Sequence, residues 1–300
     1  MSNKSLLIVA SLAYDGIETS EQKVDRTLGG AGSFICLSVK HFECNSSIVS
    51  VVGNDFHNED LELLRSCDVD ISGIEIIKDD KTFYWSCIYK NNFKDRITTK
   101  TELNVMASFN PVISKSNSTP DILLLGNLHP EIQLNAIKQI KKKPELIILD
   151  TMNYWIENFW DTLKEVINNS DLISINDEES EMITGEKDLE KAAEILHSMG
   201  PKFVIIKKAA DGAELFNFEN KFKSNAFKVA KVVDPTGAGD CFIGGIAGYL
   251  TQSDEISFDT IKSAIAYGTA IASFNVENMG TKNLLNLSMD DIKIRTNKLN

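Results

Sequence analysis

Along most of this 300-residue chain, short runs of consecutive apolar residues alternate with stretches in which hydrophobic positions recur every three or four residues. The runs Leu6 to Ala10, Ser47 to Val52, Ile122 to Leu125, Leu146 to Leu149, Leu172 to Ile175 and Phe203 to Ile206 are rich in Val, Ile and Leu. Runs this short and this continuous suit strands buried on both faces. Helical spacing is expected over Gly32 to His41, Glu59 to Cys67, Glu131 to Lys141, Glu157 to Asn168, Leu189 to Ser198, Cys241 to Leu250 and Thr260 to Phe274. Strands separated by helices predict an α/β fold with a mostly parallel sheet covered on both faces. In such sheets ligands bind beyond the carboxyl ends of the strands.

The alternation fails between Ile74 and about Thr101. Aromatic, β-branched and charged residues crowd together in Lys81-Thr-Phe-Tyr-Trp-Ser-Cys-Ile-Tyr-Lys90 and Arg96-Ile-Thr-Thr-Lys100, with Asp79-Asp80 and Asn91-Asn92 as turn signals. A meander of strands outside the main sheet is expected there. No repeat, low-complexity tract or Pro/Ser-rich linker marks a second unit, so residues 1–300 read as one domain.

Composition narrows the class. Lys and Arg number 31 against 43 Asp and Glu, a formal charge of -12, and no basic stripe stands out, which argues against nucleic acid or an anionic membrane as partner. Cys36, Cys44, Cys67, Cys87 and Cys241 are odd in number and lack CxxC spacing, so neither a disulfide framework nor a structural zinc site is indicated. The apolar stretch at Ser5 to Ala10 is too short for a signal peptide and runs on to Asp15; it reads as a first core strand. Ala264 to Phe274 falls short of the roughly 18 residues a membrane span needs. A cytoplasmic enzyme is expected.

The chemistry concentrates in Lys231-Val-Val-Asp-Pro-Thr-Gly-Ala-Gly-Asp-Cys-Phe-Ile-Gly-Gly-Ile-Ala-Gly-Tyr-Leu250. Lys231 to Val233 read as the end of an extended stretch that Pro235 terminates, and Gly237 and Gly239 permit a tight turn with converging N–H groups. An apolar helix follows, and its positive end attracts an anion. A phosphoryl group could be held against the amides of Gly237, Ala238 and Gly239, with Asp240 within reach of an attacking hydroxyl. Asp240 as a plain helix cap is the alternative.

The string from Asp234 to Phe242, followed by Gly244 and Gly245, closely resembles the C-terminal signature of the PfkB (ribokinase-like) carbohydrate and nucleoside kinases. The resemblance implies a three-layer αβα fold with a small β lid, contributed here by about 11–24 and 74–104. It implies Asp240 as catalytic base and Gly237, Ala238 and Gly239 as an anion hole. Leu28-Gly-Gly-Ala-Gly-Ser-Phe-Ile-Cys-Leu-Ser38 resembles the N-terminal signature, which assigns substrate approach to Gly29 and Gly30; Phe34 replaces the usual substrate-contacting Asn. Asp15 stands where relatives place a carboxylate that binds substrate hydroxyls. Val51-Val-Gly-Asn-Asp55 resembles the following strand end, with Asn58 in place of a usual glycine.

Ser174-Ile-Asn-Asp-Glu-Glu179 resembles the family's Asn-x-x-Glu element, which implies that Asn176 and Glu179 organise phosphates and a hydrated Mg²⁺. A hard cation that keeps its waters needs few protein oxygens. The same acidic run also reads as a helix cap. The strand and turn from Lys202 to Gly212 resemble a nucleotide-contacting segment, implying contacts from Lys207 and Gly212; Ala209 replaces a usual glycine. Ala264 to Phe274 and the turn Asn278-Met-Gly280 are expected to flank the adenine and, as in many relatives, a monovalent cation such as K⁺.

An ATP-dependent kinase acting on a hydroxyl of a small sugar is therefore expected. A P-loop is absent, since no G-x-x-x-x-G-K-[ST] occurs. The alternatives are a nucleoside kinase, with Phe34, Tyr84 or Trp85 stacking on a base; a sugar-phosphate kinase using Lys94, Arg96 and Lys100; and a nucleotide-binding regulator without turnover. An exposed lid face offers a surface for a homodimer.

Overall fold

The computed structural model describes residues 3–93 and 95–299, so Lys94 lies outside the described residues. Thirteen strands follow one another: β1 (Leu6–Val9), β2 (Ala13–Glu18), β3 (Lys23–Gly29), β4 (Ser46–Gly53), β5 (Val69–Ile77), β6 (Phe83–Lys90), β7 (Asp95–Glu102), β8 (Ile122–Leu125), β9 (Leu146–Asp150), β10 (Leu172–Asn176), β11 (Phe203–Lys207), β12 (Ala213–Phe216) and β13 (Lys221–Ser224). Nine form a main sheet in the order β13-β12-β11-β10-β9-β8-β1-β4-β5, and four form a small sheet in the order β3-β2-β6-β7. All six expected core strands lie in the main sheet and pair in parallel.

Helices α1 (Ala31–Val39), α2 (Asn58–Arg65), α3 (Pro130–Gln139), α4 (Asn153–Asn158), α5 (Trp160–Asn168), α6 (Asp177–Thr184), α7 (Leu189–Ser198), α8 (Ala238–Thr251) and α9 (Phe258–Asn275) cover the main sheet. The alternation of side chains along a strand explains the two layers. On β1, Leu6 and Ile8 pack into one core with Phe34, Ile243, Ile246 and Ile271, while Leu7 and Val9 enter a second core with Ile132, Leu163, Val166 and Leu196. The strands read as continuously apolar because each face meets its own helix layer.

The structure departs from expectation in four places. β5 pairs with β4, so residues 74–77 belong to the main sheet and the small sheet draws on 13–29 and 83–102. β12 and β13 extend the main sheet as antiparallel strands, a hairpin too short and too charged to stand out. The helix expected from Glu157 splits into α4 and α5 at Phe159, whose backbone is non-helical. Lys231 to Val233 join no strand; the Val233 amide donates instead to the Val276 carbonyl at 2.7 Å. Asp15 lies in the middle of β2, within the segment 11–24 expected to join the small sheet.

Candidate active site

Three neighbouring strands, β9, β10 and β11, end on Asp150, Asn176 and Lys207 at the carboxyl edge of the sheet. Lys207 stands beside Asn176 in the β10–β11 register. Its Nζ reaches across β10 to donate to Asp150 Oδ1 at 3.1 Å and to the Ser174 carbonyl at 3.3 Å. The pair is largely shielded, with the side chains 20% and 9% exposed. Burial opposes the charge on Lys207, but Asp150, Glu179 and Asp240 outweigh it and hold the amine protonated above the ordinary lysine value.

The helix α8 starts against this cluster. Gly237, its N-cap, has φ 75°, and a Cβ there would overlap the ring of Phe34. Only glycine fits both demands. The Ala238 amide donates to the Pro235 carbonyl at 3.2 Å, whereas the Gly239 and Asp240 amides have no acceptor among the described residues. Among the described residues the open amides at the start of α8 are therefore those of Gly237, Gly239 and Asp240, with Ala238 already engaged. A Cβ built on Gly239 would lie 3.5 Å from Lys207 Nζ, so the ammonium adjoins the open amide.

Asp240 occupies the first turn of α8. Its carboxyl is pushed up to about 8, chiefly by burial; Asp150 and Asp15 raise it further, and Lys207 and Arg96 pull it down. Asp15, 4% exposed, is pushed up to about 7 by burial, against the pull of the Gly30 amide, with the charge of Asp234 raising it further. Asp15 lies beside Trp85 in the β2–β6 register, and Gly29 backs onto its carboxylate.

Asn176 and Glu179 form a reciprocal capping box: Glu179 N donates to Asn176 Oδ1 at 2.7 Å, and Asn176 N donates to Glu179 Oε2 at 2.8 Å. The helix-cap reading is thus realised, and Glu179 Oε1 is the oxygen left over. Burial pushes the Glu179 carboxyl up to about 7; Lys207 lowers it and Asp150 raises it. Among the described residues no group of three or more acidic, His or Cys side chains gathers as a metal site. The donor set fits a hydrated Mg²⁺ touched by one carboxylate.

Behind the turn, Asp234 is fully buried, accepting from Thr236 N at 2.9 Å through Oδ1 and from Gly280 N at 2.9 Å through Oδ2. Asn275 Nδ2 donates to the Thr236 carbonyl at 2.7 Å, leaving Asn275 Oδ1 buried without a partner. The unpartnered Asn275 Oδ1 is a donor atom that a monovalent cation would suit.

One assignment changes. Phe34 is 1% exposed and packs beneath Gly237, so its ring has no face open for stacking on a base. Gly212, φ 89°, presses against the Ser224 carbonyl and the Ala226 amide, where it shapes the turn after β11. Ala209 adopts φ 46°, which explains why a glycine suits that position.

The small sheet contacts the segment that leads into α8. Tyr89 shares a buried hydrogen bond with Thr236 at 3.0 Å, and Glu21 pairs with Lys231. Ile17, Cys87, Tyr89 and Met279 form a third core, with Trp85 and Val233 packed on it. Arg96 is exposed, 5.7 Å from the Trp85 ring centroid; Lys100 instead pairs with Glu102 at 3.0 Å. Sequence reasoning missed Asp150 and the role of Tyr89, since neither lies in a distinctive motif.

The nine-stranded sheet with helices on both faces is an α/β architecture whose carboxyl edge carries a glycine-rich helix start. The family model described as pfkB family carbohydrate kinase matches residues 4–287, and the chain belongs to that family. It is 28% identical over 250 residues to a cytidine kinase of Thermococcus kodakarensis, covering 81% of this chain and 88% of that one. It is 24% identical to a ribokinase of Mus musculus over 85% of this chain and 80% of the relative. The crystal structure of a Methanocaldococcus jannaschii nucleoside kinase superposes with a TM-score of 0.79 at 21% identity, covering 99% of each chain. The protein is accordingly a kinase with the ribokinase fold. No helix among the described residues is long and apolar enough to cross a membrane.

Proposed function

We propose that this kinase transfers the γ-phosphoryl group of ATP to a ribose hydroxyl of a nucleoside. The observation that carries the acceptor assignment is the register of β2 and β6, which sets the buried carboxylate of Asp15 beside the half-buried indole of Trp85. A carboxylate can accept two hydrogen bonds from a vicinal diol, and an indole offers a face to a base. The similarity to a cytidine kinase supports the same choice.

In the proposed reaction Asp240 takes the proton of the acceptor hydroxyl as its oxygen bonds to the γ-phosphorus and the bond to the β–γ bridging oxygen breaks, releasing ADP. The Gly239 and Asp240 amides meet the developing charge. Gly29 and Gly30 admit the acceptor close to the backbone, and the lid residues exclude water. Glu179, whose Oε1 is free of the cap, would hold a hydrated Mg²⁺, which would supply charge neutralisation at the phosphates, and Asn275 Oδ1 would suit a monovalent cation near the turn. The charge of Arg96, on the small sheet, reaches Asp240 and Glu179.

A coupled ADP-release screen over nucleosides, free sugars and sugar phosphates tests this reading. A nucleoside with kcat/KM at least ~tenfold above ribose is expected, the scale of one lost polar contact. A free sugar preferred over every nucleoside would replace the acceptor class, the second reading that the ribokinase relative favours. No release with any acceptor would leave a nucleotide-binding regulator.

A further inference from the structure

Lys207 has three N–H donors, and the structure accounts for two: Asp150 Oδ1 and the Ser174 carbonyl. The third has no partner among the described residues, and Nζ lies 3.5 Å from where a Cβ would stand on Gly239, the residue whose own amide is unengaged. Two donors therefore converge on one small space at the start of α8, beside Asp240. Three carboxylates, Asp150, Glu179 and Asp240, surround the ammonium and feel its field. An arriving triphosphate would add further negative charge to that group of acids, which a bound cation must offset.

We infer that Lys207 donates its third N–H to a non-bridging oxygen of the transferring phosphoryl group, and that Asp150 is the residue that positions it. This rests on the kinase reading, and it moves Lys207 from a general nucleotide contact to the reacting group. During transfer the γ-phosphorus loses its bond to the β–γ bridging oxygen and gains one to the acceptor oxygen, whose proton goes to Asp240. Lys207 keeps its proton throughout, and its hydrogen bond strengthens as charge gathers on the equatorial oxygens. The register of β9, β10 and β11 fixes the geometry, because Lys207 can reach Asp150 only by crossing the end of β10. A purely structural role would be to neutralise Asp150.

Calorimetric binding of ADP and of the β,γ-imido analogue of ATP, both with Mg²⁺, separates the two roles without requiring turnover. Lys207→Met is expected to weaken the imido analogue at least ~tenfold more than it weakens ADP, the scale of one charge-assisted hydrogen bond. That variant leaves Asp150 buried and alone, so the double variant Asp150→Asn/Lys207→Met, which removes both charges, guards against a folding defect. The analogue should bind the double variant as weakly as it binds Lys207→Met. Recovery of wild-type analogue affinity in the double variant would overturn the inference and reduce Lys207 to a partner of Asp150. Equal weakening of ADP and analogue would overturn it too. Asp150→Asn alone should weaken the analogue by about threefold to tenfold while ADP stays unchanged; an unchanged analogue affinity would remove Asp150 as the positioning residue. A wild type that binds neither ligand would defeat the kinase reading itself, and this inference with it.

Discussion

Gly29 and Asp15 occupy adjoining space so closely that a Cβ at position 29 would overlap the Asp15 carboxylate. The second strand of the lid thus holds an acid in place only because the end of the third carries no side chain. Gly29→Ala should displace Asp15 and raise acceptor KM at least ~tenfold, with the Kd for ADP within about threefold of wild type. Acceptor kinetics beside ADP calorimetry check this. An unchanged acceptor KM would separate Asp15 from substrate.

Glu179 caps α6 with one carboxylate oxygen and has the other to spare. Glu179→Gln keeps an oxygen for the cap but loses the charge that would hold a hydrated cation. The Mg²⁺ concentration for half-maximal activity at saturating ATP should rise at least ~fivefold, while acceptor KM moves little. Superimposable Mg²⁺ titrations for the two proteins would confine Glu179 to its cap.

The raised carboxyl of Asp240 predicts two pH dependences. A base must be ionised, so kcat/KM should climb with pH through about 8, far above the range of an ordinary carboxylate. Stability should run the other way. A group that binds its proton more tightly when folded contributes stability that is fully present below about pH 4 and is lost as pH rises through about 8. Wild-type Tm should therefore fall from pH 5 to pH 9 by at least ~2 °C more than the Tm of Asp240→Asn. Melting curves of both proteins across that range decide it, and parallel Tm profiles would place Asp240 in an ordinary solvated setting.

What could be read from the chain follows from how local each signal is. The strands from Leu6 to Ile206 were legible because burial on both faces needs unbroken apolar runs, and the turn before Asp240 because Gly237 serves a left-handed backbone. Asp150 was not, since Leu146 to Asp150 followed by Thr151 looks like any strand running into a loop; only the order of β9, β10 and β11 brings Lys207 to it. Phe34 misled because an aromatic in place of a polar residue suggests stacking, while its burial depends on Gly237, some two hundred residues away in sequence. The engagement of the Ala238 amide by Pro235 is likewise invisible until the turn is built. The lid was legible as a strand-rich segment but not in extent, because Ile74 to Ile77 have the same β-branched character whichever sheet they join.

The central claim is that Asp240 removes the acceptor proton, and the most direct measurement is the kcat of Asp240→Asn beside its nucleotide affinity and melting curve. The account predicts a kcat at least ~10²-fold below wild type, with the Kd for ADP within about threefold and the fold retained. Turnover within a few-fold of wild type would contradict it, leaving Asp240 as a first-turn acid of α8 and the catalytic base elsewhere.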